Sequence, residues 1–211
     1  LPMMEVIVTH FKPFFLGMLI CIAGYVLFYI MIAFSQIYAK SAPTVSEAGY
    51  AMGLGFSPQI FTALLMCSAI SLAITIAISG KYIDIVGRRI WLIWTTFGVA
   101  IFGLALPYFL DNGTTTSLFW FLMIGMGLIG MGYGPLASFL PELFPTHARY
   151  SGASLTYNIS GLFGASVAAI IALPLNANYG LKGVGIYLTL NAVLSLIGLW
   201  FITETKDKHL A

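Results

Sequence analysis

Apolar and polar positions in this chain separate into long blocks rather than alternating. No charged residue falls between Lys12 and Lys40, Glu47 and Lys81, Arg89 and Asp111, Asp111 and Glu142, Arg149 and Lys182, or Lys182 and Glu204. Each of these six runs is long enough for the roughly 20 apolar residues a membrane-spanning helix needs. The pattern predicts spans at Phe14–Tyr38, Pro58–Gly80, Ile90–Leu110, Ser117–Leu140, Gly152–Leu173 and Val184–Thr203. The runs are too long and too uniformly apolar for the alternating strands of a membrane barrel. Lipid admits only helices or closed barrels, so the expected fold is an all-α membrane protein of six antiparallel helices. Ser57-Pro58 reads as an N-cap followed by proline at the first helical position. Asn112-Gly113 and Asn178-Tyr179-Gly180 read as turns.

Composition agrees with that pattern. Of 211 residues, 60% are apolar and 8% charged, against about a quarter charged in a soluble domain. The medium for so much apolar surface is the lipid bilayer. A net charge of +2 gives no reason to invoke nucleic acid. Cys21 and Cys67 sit inside apolar runs and match no metal or redox spacing. Neither a basic n-region nor an A-x-A site accompanies the opening run, so it reads as a span, not a signal peptide. The chain, which begins at Leu1, reads as a piece of something longer.

Lysine and arginine orient the helices. Lys12, Lys81, Arg88, Arg89, Arg149, Lys206 and Lys208 collect on one side, Lys40 and Lys182 on the other. The positive-inside rule then places both termini in the cytoplasm. Trp91, Trp94, Trp120 and Trp200 fall near helix ends, where an aromatic belt belongs.

The densest charge is in Gly80-Lys81-Tyr82-Ile83-Asp84-Ile85-Val86-Gly87-Arg88-Arg89. Gly80 and Gly87 would let a short link turn tightly. Asp84 could cap the next helix or pair with an arginine, while Arg88 and Arg89 would anchor the third span in the headgroups. This G-x-x-x-D-x-x-G-R-R pattern resembles the loop signature of the major facilitator superfamily, with Tyr82 in place of an aliphatic residue and Ile85 in place of a basic one. Pro141-Glu142-Leu143-Phe144-Pro145-Thr146-His147-Ala148-Arg149-Tyr150-Ser151-Gly152-Ala153 resembles the E-L-F-P-T-x-x-R-Y-x-G-A stretch of its metabolite:proton symporter branch. That branch includes proline/betaine, shikimate and 2-oxoglutarate carriers. Thr203-Glu204-Thr205-Lys206 is similar to the E-T-K ending there and in sugar porters.

The resemblance implies one half, a 3+3 inverted repeat, of a twelve-helix transporter of the bacterial inner membrane. The other, N-terminal half would be the missing partner. It implies a secondary active transporter, with proton-coupled symport of an organic acid or zwitterionic osmolyte by alternating access. The proton gradient drives it and no cofactor is needed. A sugar or polyol porter and a non-transporting fragment are the alternatives. It also implies a cytoplasmic gate in which Gly80, Asp84, Gly87, Arg88, Arg89, Glu142, Arg149 and Glu204 take part. Static anchoring of helix ends is the plainer reading of the same charges. His10 and His147 read as interfacial side chains rather than ligands, and no metal site is expected.

In this superfamily the first and fourth helices of each half line the cavity. The candidates there are Tyr25, Tyr29 and Gln36 on the first span, and Tyr133 and Ser138 on the fourth. Tyr157 and Asn158 on the fifth join them. The glycine run Gly125, Gly127, Gly130, Gly132 and Gly134, broken by Pro135, reads equally as a gate or a packing surface. Ser68, Ser71, Thr75 and Ser79 lie on one face of the second span and read as helix packing. Asn191 reads as a helix–helix hydrogen bond. The third span, whose polar residues are Thr95 and Thr96, reads as lipid-facing. No Asp, Glu, Lys, Arg or His lies within the six spans, so a coupling carboxylate must lie elsewhere. The spans hold no H-E-x-x-H, paired carboxylates or Ser/His arrangement, which argues against an enzyme. No filter sequence or ring of charge suggests a channel.

Overall fold

A computed structural model describes residues 2–204, so Thr205, Lys206 and Lys208 of the sequence reading lie outside the described residues. A short helix, α1 (Pro2–Thr9), precedes α2 (Phe11–Lys40), α3 (Pro58–Val86), α4 (Arg88–Leu110) and α5 (Thr115–Glu142). Helical hydrogen bonding then runs from Arg149 to Phe201, but Gly180 interrupts it with φ 67° and ψ −170°. That backbone is open to glycine and strained for other residues, so the stretch is two helices, α6 (149–179) and α7 (181–201). The Ser57 hydroxyl caps α3 by accepting from the Ile60 N–H at 3.4 Å, and Pro58 opens the helix. Thr114 caps α5 in the same way, accepting from the Ser117 N–H at 3.2 Å.

One expected turn is absent. Gly80 lies inside α3, which runs on to Val86. The reversal into α4 is made by Gly87 alone, at φ 104°. An α-helix satisfies its own backbone wherever it continues, so Gly80 had no need to break it. α2 and α6 each carry one π-helical turn, at Ile30–Phe34 and Leu162–Ser166.

The helices pack in pairs: α3 with α5, α4 with α7, and α2 with both α6 and α7. Exchanging the first three spans for the last three maps α2–α6 onto α5–α3 and α4–α7 onto itself, the contact pattern of an inverted repeat. Small residues set the approach. On the α3–α5 seam, Ser71 Oγ donates to the Met123 carbonyl at 2.9 Å and Ser79 Oγ to the Gly130 carbonyl at 3.4 Å. Gly127, Gly130 and Gly134 face Ser71, Thr75 and Ser79, and a Cβ on Gly130 would lie 2.6 Å from the Leu72 carbonyl oxygen. The glycine run is therefore, at these three positions, a packing surface. On the α4–α7 seam, Gly103 and Gly185 touch backbone to backbone, and Thr189 Oγ1 donates to the Ala100 carbonyl at 3.0 Å. Ser195 of α7 bonds the Leu19 carbonyl of α2 at 2.6 Å.

Two sequence readings are corrected by this packing. Thr95 and Thr96 are buried, and α4 keeps a separate exposed stripe of Trp94, Phe97, Ile101, Leu104 and Tyr108. The spacing of 3 and 4 residues in that stripe gives one lipid face and leaves the other free to pack. Asn191 donates to the Tyr187 carbonyl of its own helix at 2.8 Å instead of bridging to another.

Candidate functional site

The charged residues at one end of the bundle draw α3, α4, α5 and α7 together. Arg88, at the start of α4, forms an ion pair with Glu142 at the end of α5 and a longer one, 3.4 Å, with Asp84 of α3. The Arg88 and Glu142 side chains are 18% and 12% exposed, so the pair is largely desolvated. Among the described residues, Arg88 Nε and Glu142 Oε2 have no hydrogen-bond partner. The pair is thus incompletely satisfied, which lowers its net worth.

Glu204, just beyond α7, meets the backbone of the same helix start. Its Oε1 accepts from the Arg88 N–H at 3.1 Å, and its Oε2 from the Arg89 N–H at 3.1 Å. A carboxylate there satisfies orphan donors and complements the positive helix end. Gly87 makes room for it, because a Cβ would stand 2.9 Å from Glu204 Oε2. Arg89 reciprocates. Its Nε donates to the Leu199 carbonyl at 2.8 Å and its Nη2 to the Trp200 carbonyl at 3.0 Å, capping the end of α7. Both arginines therefore spend donors on protein, not only on lipid headgroups. Gly80 stands clear of this cluster, with nothing within 4 Å of a Cβ placed on it. Arg149 also stands apart. Its guanidinium reaches Thr146 Oγ1 at 3.4 Å, and its Nε is buried with no partner among the described residues.

Three expected cavity residues converge. Tyr25 of α2, Tyr133 of α5 and Tyr157 of α6 line a cavity of about 290 Å³, whose inner wall includes Thr95 and Thr96 of α4. The Tyr25 and Tyr157 rings lie 5.0 Å apart, and Tyr25 Oη donates to the Tyr157 carbonyl at 3.1 Å. A second cavity of about 590 Å³ shares Tyr133, Leu136 and Tyr157 with the first and extends to Thr146, Arg149 and Ser154. Together they run from Thr95 and Thr96 of α4 to Arg149 at the start of α6.

Tyr29, Gln36, Ser138 and Asn158 line neither cavity. Gln36 is exposed. Ser138 donates to the Pro135 carbonyl at 3.1 Å and Asn158 to the Ser154 carbonyl at 2.8 Å, each within its own helix. Among the wall residues that sequence reasoning did not assign to the cavity are Arg149 and the two threonines. A hydroxyl pair in an otherwise apolar span was the available signal for the threonines. For Arg149, one motif letter served a gate and a cavity wall equally well.

The family described as sugar (and other) transporter matches residues 51–211. A candidate metabolite transport protein of Haemophilus influenzae is 90% identical over all of this chain and 47% of its own length. The inner membrane metabolite transport protein YhjE of Escherichia coli is 37% identical over all of this chain and 46% of its own length. The glycine betaine/proline/ectoine/pipecolic acid transporter OusA of Dickeya dadantii is 26% identical over 98% of this chain and 39% of its own. The chain thus spans about half the length of the relatives it matches most fully. No solved structure matches it.

Proposed function

Because this chain belongs to the sugar (and other) transporter family of the major facilitator superfamily, we propose that it is one six-helix half of a secondary active transporter. Its cargo is a small polar metabolite, an organic acid or a zwitterionic osmolyte, moved by alternating access across the bacterial inner membrane. Both termini of the chain face the cytoplasm. The observation that carries this reading is the pair of adjoining cavities, with three tyrosines at the deep end and Arg149 at the cytoplasmic end. Tyrosine faces attract a cationic group and their hydroxyls a polar one. A guanidinium suits a carboxylate. Neither cavity is lined by Asn or Gln, which supports an acid or zwitterion over a sugar or polyol.

The Arg88–Glu142 pair, Asp84 and the Glu204–Arg89 caps form the cytoplasmic latch. They hold helix ends together in one state and part in the other. An incompletely satisfied pair suits that role, since the two states of a transporter differ by a few kcal/mol. The six apolar spans contain no Asp, Glu, Lys, Arg or His. Proton coupling therefore draws on a titratable group in the half that pairs with this one.

The test is uptake of radiolabelled glycine betaine, proline, shikimate and 2-oxoglutarate by cells producing the full-length protein. Accumulation of at least one of them, abolished by a protonophore, is the expected result. Uptake of sugars or polyols instead would replace the substrate class. No uptake of any of these above empty-vector cells would contradict transport.

A further inference from the structure

His10 and His147, far apart in sequence, meet at the cytoplasmic end of the bundle beside Glu5. Their donor atoms and a Glu5 carboxylate oxygen all lie within 4.8 Å of one another. His147 Nε2 is 3.0 Å from Glu5 Oε1, and the two imidazole rings are 6.1 Å apart, tilted at 55°. The neighbouring backbone is pinned. Val6, next to Glu5, is fully buried in a small apolar cluster with Phe14, Phe144 and Ala148, and Ala148 follows His147. His10 is the break between α1 and α2, held by the Val6 carbonyl on its N–H at 3.1 Å. The three side chains thus come from two segments whose packing already sets their separation.

We propose that Glu5, His10 and His147 form a binding site for a divalent transition-metal ion of the Zn²⁺ class. Two imidazoles and one carboxylate are a donor set such ions favour, with water completing the coordination. Tetrahedral Zn²⁺ at about 2.0–2.1 Å from each ligand places the donor atoms roughly 3.4 Å apart. Side-chain rotation closes that gap from the present spread, because Glu5 and His147 are exposed at the surface. The bound ion would tie α1 and the α1–α2 break to the loop joining α5 and α6. That loop begins after Glu142, the partner of Arg88, and ends at Arg149. The site stands whether or not the cargo is the one proposed above.

The experiment uses the full chain purified in detergent, stripped with a chelator, in a Cys67→Ser background that removes the exposed thiol. Calorimetric titration with Zn²⁺ alone should give one site of micromolar affinity. His10→Ala, His147→Ala and Glu5→Gln should each weaken it about tenfold or more. Co²⁺ in place of Zn²⁺ should give visible absorption bands that vanish in the histidine variants. Because the three side chains lie at the surface end, the variants should keep the melting temperature of the metal-free parent, which separates lost binding from lost folding. Absence of a micromolar site in the parent, or equal affinity in all three variants, would overturn the assignment.

Discussion

The charged edge and the membrane interior of this bundle are held by opposite means. At the edge, charge ties helix ends across the chain: Arg88 to Glu142, Glu204 to the start of α4, Arg89 to the end of α7. In the interior, helices are tied by hydroxyls on carbonyls and by glycines that admit a neighbour's backbone. At the edge, charges that part from one another can be taken up by water. In lipid the same separation would strand a charge. The comparison teaches where the proposed latch belongs: at the charged edge, while the interior seams fix the helix pairs around the tyrosine cavity.

The largest effect should come from breaking the edge on one side. Arg88→Ala leaves Glu142 largely desolvated without its partner, which costs about 3 kcal/mol when such a pair loses one member. Transport should fall at least about tenfold, and a Glu142→Ala, Arg88→Ala double variant should recover most of the stability but not the transport. Thermal unfolding in detergent and uptake by the full-length protein check the two halves of that statement. Next is the interior. Gly130→Val drives methyls into the Leu72 backbone of α3, and overpacking of this kind costs about 1–3 kcal/mol. Its expected signature is loss of folded protein on denaturant titration, in contrast to the Glu142→Ala, Arg88→Ala double variant, which should fold but transport poorly. The smallest effect is Ser71→Ala, which removes one hydroxyl bond between α3 and α5. Interhelical bonds in membranes average about 0.6 kcal/mol. A loss as large as that of Gly130→Val would mean the seam is held by hydrogen bonds and not by close packing.

The six helices were legible because lipid forces charge to the ends, so charge-free runs mark the spans directly. The Ser68–Ser79 stripe was legible as packing because its steps of 3 and 4 residues name one helix face. Which helix receives it depends on tertiary contacts, and the answer, the glycines of α5, appears only in three dimensions. Gly80 misled because a motif glycine looks the same whether it bends the chain or lies within a helix; Gly87 alone adopts the positive φ. Arg149 was visible as a motif residue, yet nothing in its neighbours along the chain says that it faces a cavity while Arg88 takes the glutamate. His10 and His147 lie 137 residues apart, beyond the reach of any local spacing rule. The cavity candidates Tyr29 and Gln36, which line neither cavity, share α2 with Tyr25, but period alone could not say which of its faces meets α5 and α6.

The central claim is that the tyrosine–Arg149 cavities are the cargo's path. Its most direct test is the KM for the transported substrate in the full-length protein carrying Tyr25→Ala, Tyr157→Ala or Arg149→Gln, with Tyr108→Ala on the lipid face of α4 as the control. A KM raised about tenfold in each cavity variant, equivalent to about 1.4 kcal/mol, with the control unchanged, is the predicted result. Wild-type KM and rate in all three cavity variants would contradict it.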